Sequence, residues 1–388
     1  MTKGWPIKRL GDVCEIIMGQ SPDGDSYNTT GAGVPLINGP VEFSDESFGE
    51  TIRSKFTTQP TKLCKKGDLI LCVRGSTTGR MNIAGFDACV GRGVAAIRAH
   101  EYQPWVNYFV SSRRDEIHGK GTGATFPNVS GSTLANFELV MPPLDEQKRI
   151  IGSLDEAFAG LATAAANAEK NLQNARAIFN SQLQSIFTQR GDGWKEKTLE
   201  EVATTFGRGK SKHRPRNAPH LYGGKYPFIQ TGDIRNAEHY ITEYTQTYSE
   251  AGLAQSKLWP KGTICITIAA NIAETAILSF DACFPDSVIG VVPNPREAEV
   301  GYVEYVLQAF KARLQALGKG SAQANINMGT FEHERFPFPS VSEQKLIVAK
   351  LDALSEETQH LEDIYEQKLA ALEALKKSLL HQAFAGNL

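Results

Sequence analysis

One segment is written twice in this chain. DEQKRIIGSLD occupies residues 145–155 and SEQKLIVAKLD residues 342–352, with six of eleven positions identical at an offset of 197. Other landmarks recur in the same order. Trp5, Leu10 and Val13 return as Trp194, Leu199 and Val202. VPLINGPV (34–41) returns as YPFIQTGDI (226–234), and KKGDLIL (65–71) as PKGTICI (260–266). FDAC stands verbatim at 86–89 and 280–283. WVNYFV (105–110) returns as YVEYVL (302–307), and GKGT (119–122) as GKGS (318–321). The offset drifts only from 189 to 199. A repeat that long and that regular is a tandem duplication of one folding unit.

Each copy has two parts. The first is a mixed α/β (α+β) segment. Its short apolar runs, DLILCV and TICITI, are bounded by glycines and predict buried strands. Helices are expected over 104–118 and 296–317, with Gly119 and Gly318 closing them in the left-handed conformation. The second part is a long helix. Prolines cluster before it (Pro142, Pro143; Pro337, Pro339), Asp145 and Ser342 are expected N-caps, and Glu146 and Glu343 complement the helix dipole. About 40 residues make a rod of roughly 60 Å. The boundaries are read as 1–144, 145–190, 191–341 and 342–388.

The rods carry a seam at coiled-coil spacing. In the first it is Ile151, Leu154, Phe158, Leu161, Ala165, Ala168, Leu172, Ala175 and Phe179. In the second it is Ile347, Leu351, Leu354, Leu361, Leu372, Leu375 and Leu379, with Thr358, Tyr365 and Lys368 as imperfect members. The expected object is pseudo-twofold, with the two rods antiparallel.

Composition narrows the class. The formal net charge is -2, which excludes a strongly basic coat protein but leaves room for a local basic groove. The start MTKGWPIKRLGDV has no apolar signal core. No apolar run approaches the roughly 18 residues that span a bilayer. The expectation is a soluble, cytoplasmic chain with no membrane partner. The six cysteines have no CxxC spacing and are expected as buried thiols, with no metal bound.

The two copies share framework but not loops. GQSPDGDSYNTTGAG (19–33) has as counterpart GRGKSKHRPRNAPHLYGG (207–224), which carries five Arg or Lys residues. Equal scaffolds with unlike loops suit two readers of different sequences. Phosphates are met by Lys and Arg, base edges by Arg, Lys, Asn and Gln. The candidate DNA-contacting residues of the first copy are Gln20, Ser21, Arg74, Ser76, Thr77, Arg80, Lys120, Thr122 and Asn128. Those of the second are Arg208, Lys210, Lys212, His213, Arg214, Arg216, Gln230, Thr231, Asn271, Lys319, Ser321, Gln323, Asn325 and Asn327.

Enzyme readings fail on spacing. GRGKS (207–211) ends like a P-loop, yet Thr204 stands where its first glycine belongs. Glu146-Gln147-Lys148 has the E-x-K form of some nucleases, but it opens a helix and recurs as Glu343-Gln344-Lys345. No NPPY or DPPY occurs. No catalytic residue is assigned.

The opening W-x4-L-x2-V, PPLDEQKRI before a long helix and the terminal LLHQAFAGNL together resemble the specificity subunit of type I restriction-modification enzymes, over essentially the whole chain. The resemblance implies two target-recognition domains that each read one half of a split, asymmetric double-stranded DNA sequence. The helices then act as spacers. It implies a subunit without catalysis that binds no cofactor and recruits two modification (methyltransferase) subunits using S-adenosylmethionine on adenine. Two restriction (translocase/nuclease) subunits, using ATP and Mg, can join. The other reading is a coiled-coil adaptor with two protein-binding α/β modules.

Overall fold

The computed structural model describes residues 4–45, 48–121, 128–213, 215–269, 271–319 and 326–388, the pair 318–319 through backbone alone. They form two compact units. One is Met1–Glu169 with Gln367–Leu388, the other Lys170–Glu366.

In the first unit an antiparallel sheet runs in the order Cys14–Met18, Val94–Ala99, Leu69–Cys72, Met81–Ile83. A second sheet runs Tyr27–Asn28, Phe56–Thr57, Val34–Ile37, Ala88–Val90, Leu63–Cys64, with Val34–Ile37 parallel to Ala88–Val90. LILC is buried on both faces, and strand alternation explains why. Leu69 and Leu71 enter the core under the helices, while Ile70 and Cys72 enter the core shared with the second sheet.

The second unit repeats the plan. One sheet runs Ala203–Arg208, Val288–Pro293, Ile264–Thr267, Thr275–Leu278, Tyr240–Ile241. The other runs Gln246–Tyr248, Tyr222–Phe228, Ala282–Cys283, Leu258–Trp259. Ile264 and Ile266 again face one core and Cys265 the other. The repeated FDAC has a structural cause. Asp87 Oδ1 accepts from the Lys66 N–H and Asp281 Oδ1 from the Lys261 N–H, both at 2.8 Å. These bonds fix turns whose next residues, Gly67 and Gly262, have φ of +93° and +82°, where glycine alone is at ease. All six cysteines are free and buried.

The expected helices each divide in two. Gln103–Ser112 and Arg114–Gly119 break at Arg113; Val300–Ala309 and Lys311–Lys319 break at Phe310. Gly119 is the last helical residue, followed by Lys120 at φ −82°, and Gly318 lies within its helix. Neither is the left-handed closing residue anticipated above.

The long helices span Leu144–Thr188 and Val341–Phe384. They start one residue earlier than expected, so Asp145 and Ser342 sit in the first turn. Ser340 Oγ accepts from the Glu343 N–H at 3.3 Å. The repeated E-Q-K places its glutamine inward: Gln147 Nε2 donates to Pro142 O at 2.8 Å and Gln344 Nε2 to Pro339 O at 2.9 Å, both buried. Glu146 is paired with Arg149, and Glu343 accepts from Trp194 Nε1 at 2.9 Å. The motif locks a helix start onto the proline turn before it.

Within each unit the two helix segments run antiparallel. In the first, Arg149 donates to Leu388 O at 3.0 Å and the Lys376 ammonium lies 5.5 Å from the Phe158 ring. In the second, Arg176 bonds Glu362 and Glu366 at 2.8 and 3.0 Å, while Leu183 and Phe187 share a core with Leu351. All nine seam positions of the first helix are buried or half-buried. In the second seam Thr358 is buried, and beyond it Tyr365, Leu372 and Leu379 lie inward as expected, while the alternate positions depart from the expected register. Leu361, Lys368 and Leu375 face solvent, and the positions one residue on, Glu362, Leu369 and Lys376, lie inward. Arg176 and Phe158 give Glu362 and Lys376 partners there, so charged residues occupy places where leucines were expected.

Candidate nucleic-acid interface

Segments far apart in sequence meet around one turn in each unit. In the first unit the turn is 90–94. Gly19 N–H donates to Val94 O (3.0 Å), Gln20 N–H to Val90 O (2.9 Å) and Val73 N–H to Gly93 O (3.0 Å); Val129 N–H then donates to Val73 O (2.9 Å). Arg74 and Asn128 face each other across an antiparallel bridge. In the second unit the turn is 284–288. Gly209 N–H donates to Val288 O (2.8 Å), Ile268 N–H to Ser287 O (3.0 Å) and Ile326 N–H to Ile268 O (3.2 Å). Ile229 N–H donates to Cys283 O at 2.8 Å, which brings Gln230 alongside.

The bonds fix the correspondence between units. Gly19 matches Gly209 rather than Gly207, which loop alignment by sequence suggests. A Cβ on Gly19 would stand 2.1 Å from Gly91 O, and one on Gly209 2.4 Å from Phe284 O, so only glycine admits the chain this close to the turn. The next residue in each copy, Gln20 or Lys210, has its carbonyl held by a hydroxyl, Thr61 or Ser256. The same hydroxyls bond the sulfurs of Cys89 and Cys283, the last residue of each FDAC. Burial raises the Cys283 thiol above its ordinary value.

Charge is distributed differently on the two frames. In the second unit Asp286 gathers the outer loop. Its carbonyl accepts from Arg208 Nε at 2.8 Å, and its carboxylate takes Arg216 Nη2 at 2.8 and 2.9 Å. Lys210 and Lys212 are exposed. Lys257 stacks over Trp259 at 3.5 Å, and burial, then Lys210, pushes its ammonium below the usual range. His213 N–H donates to Gln255 Oε1 at 3.0 Å, and its ring meets His220 edge-on at 5.0 Å. In the first unit Ser21 Oγ accepts from the Arg92 N–H at 3.4 Å. The exposed side chains of Arg74 and Arg92 make no ion pair among the described residues. Arg92 was missed from the sequence. The signal was there, since it lies three residues past the repeated FDAC, between Gly91 and Gly93.

Other candidates have structural engagements. Arg80 reaches Asp45 at 3.5 Å and lies over Phe43. The Thr77 hydroxyl bonds the Cys72 thiol, Ser76 is exposed, and Asn271 forms a backbone turn to Ala269. Lys120 pairs with Glu116 at 2.9 Å and covers the Phe137 ring at 4.6 Å; no bond ties it to the turn. Gln230 precedes the helix Thr231–Asn236, and its N–H donates to Asp233 at 2.8 Å. Asn327 caps Met328–Glu332, accepting from the Thr330 N–H at 3.2 Å. Its match is Ser130, which caps Gly131–Ala135 in the same way, not Asn128. Thr122, Arg214, Ser321, Gln323, Asn325 and the Lys319 side chain lie outside the described residues. Among the described residues no His/Cys/Asp/Glu group could hold a metal, and no helix is long and apolar enough to cross a membrane.

The duplicated frame carries two unlike sets of cations, one beside each turn. The model of the family "Type I restriction modification DNA specificity domain" matches residues 2–171 and 191–373. The chain therefore belongs to the type I restriction-modification specificity family and carries two tandem DNA specificity domains. It is 35% identical over 151 residues to the type I restriction enzyme MjaX specificity subunit of Methanocaldococcus jannaschii, covering 38% of this chain and 35% of that relative. It is 22% identical over 420 residues to the MjaVIII specificity subunit of the same organism, covering 99% and 93%. The fold is shared with a solved chain described under complex assembly and conformational transition of the type I R-M system (TM-score 0.83, 19% identity, 100% and 99% covered). The HsdS subunit from Thermoanaerobacter tengcongensis also shares it (TM-score 0.63, 19% identity, 100% and 98% covered).

Proposed function

We propose that the chain is the non-catalytic, sequence-reading subunit of a type I restriction-modification enzyme. Residues 1–144 and 191–341 act as recognition domains, each reading one half of a split, asymmetric duplex target. The long helices set the gap between the halves and present two matching faces to two copies of one methyltransferase subunit. S-adenosylmethionine chemistry on adenine belongs to that partner, and ATP- and Mg-dependent translocation and cleavage to restriction subunits, in the cytoplasm.

The observation that carries the reading is the pair of equivalent turns, 90–94 and 284–288, bonded alike and charged differently. Exposed cations beside the turns supply the phosphate contacts, and loops of different sequence supply different base contacts. An adaptor for proteins gains nothing from placing arginines with no ion pair among the described residues beside a glycine-only approach in one copy and a five-cation loop in the other.

The test is co-expression with a type I methyltransferase subunit from the same genome, followed by single-molecule mapping of methyladenine. A split motif with two unlike halves and a fixed gap is expected. A short continuous motif, or none, would overturn the proposal.

A further inference from the structure

We infer that a single turn position, Arg92 in the first unit and Asp286 in the second, decides which segment of each unit presents its cations to DNA. The inference rests on the DNA-reading role proposed above.

The two residues are equivalent by bonding, not by sequence likeness. Each is followed by a residue whose carbonyl accepts from the middle strand's extension (Gly93 from Val73, Ser287 from Ile268). The residue after that accepts from the close-approach glycine (Val94 from Gly19, Val288 from Gly209). Each also lies three residues past the FDAC cysteine. Only the side chain differs, and it differs in sign.

The surroundings differ to match. The Asp286 carboxylate draws Arg216 of the outer loop onto itself, beside Arg208, which bonds the backbone carbonyl of the same residue. The guanidinium groups are thereby fixed at the turn, next to exposed Lys210 and Lys212. In the first unit the outer loop carries Asp23 and Asp25 and no cation over residues 19–33. There the turn itself is the cation. Arg92 is exposed, and its side chain makes no hydrogen bond or ion pair among the described residues. Arg74, one residue beyond the bond that joins 73 to 93, is the adjacent charge; its counterpart in the second unit is Ala269.

The two residues thus have different roles. Arg92 is a direct contact to phosphate or to a base edge. Asp286 is a positioning residue: its charge repels DNA, yet it holds the arginines that read. A fixed arginine discriminates between bases, whereas a freed one binds phosphate wherever it finds it.

The test uses the full chain, a pool of randomised duplexes for selection and sequencing, and one fixed duplex titrated with salt. Asp286→Asn is isosteric and Arg92→Gln keeps a polar, uncharged side chain; circular dichroism confirms folding. Asp286→Asn is expected to lose roughly five- to hundredfold discrimination in one half of the selected motif while the other half is unchanged. On a fixed duplex lacking the selected motif it binds at least as tightly as wild type, because a negative charge has gone. Arg92→Gln is expected to weaken the other half and to bind the fixed duplex less tightly, with a salt slope shallower by about one ion. A merely structural role for Asp286 would lower affinity and leave the surviving preference intact. The inference is overturned if both variants alter the same half, if both halves change together, or if wild-type selectivity persists in both. If wild type enriches no sequence at all, the DNA-reading role falls, and this inference with it.

Discussion

The two outer loops, 19–33 and 207–224, leave the same strand at the same kind of glycine and are held by the same hydroxyl-to-carbonyl bond. Both then pass through a 3-10 turn that ends at a tyrosine, Gly24–Ser26 before Tyr27 and Pro219–Leu221 before Tyr222. Their charged side chains differ: one carries aspartates, the other five cations and is folded back on Asp286. What is alike is backbone hydrogen bonding and buried apolar contact, which sets where a loop stands. What differs is exposed side chains, which contribute little to folding and can vary freely. Duplication kept the terms that stabilise the frame and released those that meet a ligand.

The comparison breaks first where the frames are completed. Phe384 packs on Trp105 and Phe109 in the first unit; Phe187, 197 residues earlier, packs on Tyr302 in the second. Phe384→Ala and Phe187→Ala should each cost about 3–5 kcal/mol. Hydrogen exchange should locate each loss in its own unit, and equal loosening of both units by either variant would contradict the two-frame account. Gly19→Ala and Gly209→Ala force a Cβ against carbonyl oxygens and should cost about 1–3 kcal/mol each. Chemical denaturation reads the cost, and a neutral effect at either position would show that the approach is not as close as drawn.

A smaller difference separates the repeated glutamines. Among the described residues the Gln147 side chain makes one bond, to Pro142 O, whereas that of Gln344 also donates to Glu297 O at 3.2 Å and accepts from the Glu299 N–H at 2.8 Å. Both alanine variants fall within about 1–3 kcal/mol, with Gln344→Ala the more costly; the reverse order would remove this asymmetry. The last effect, confined to alkaline conditions, is a pH dependence. Burial pushes the Cys64 and Cys72 thiols up from 9.0 to about 11. Above pH 9 the unfolded chain releases these protons and the folded one does not. Stability should therefore be level below pH 9 and fall between pH 9 and about 11. Cys64→Ala/Cys72→Ala should flatten that fall, measured by urea unfolding across the range.

Much of this was legible in the sequence because the duplication served as an internal control. Strands such as LILC and ICIT, the long helices and their antiparallel sense follow from periodicity and repetition. Register did not follow. Leu361 and Leu375 look like seam residues by type, yet Glu362 and Lys376 are the inward positions, because partners on the facing helix can satisfy a charge there. Helix ends were misread for a similar reason. Ser340 and the proline turn fix the start, and Arg113 and Phe310 interrupt what apolar spacing presents as single helices. At the site, Arg208, Lys210, Lys212 and Arg216 were visible as a charge cluster. Arg92 was not, since a lone arginine between glycines has meaning only once its turn is seen to carry Asp286 in the other copy.

The central claim is that equal frames carry independent readers. The most direct measurement replaces the cations at 208, 210, 212, 214 and 216 by neutral residues, keeps Gly209, and selects bound sequences from randomised duplexes. The account predicts a motif with one half lost or altered, the other half unchanged, and the same gap between them. A change in both halves, or a shift in the gap, would contradict it.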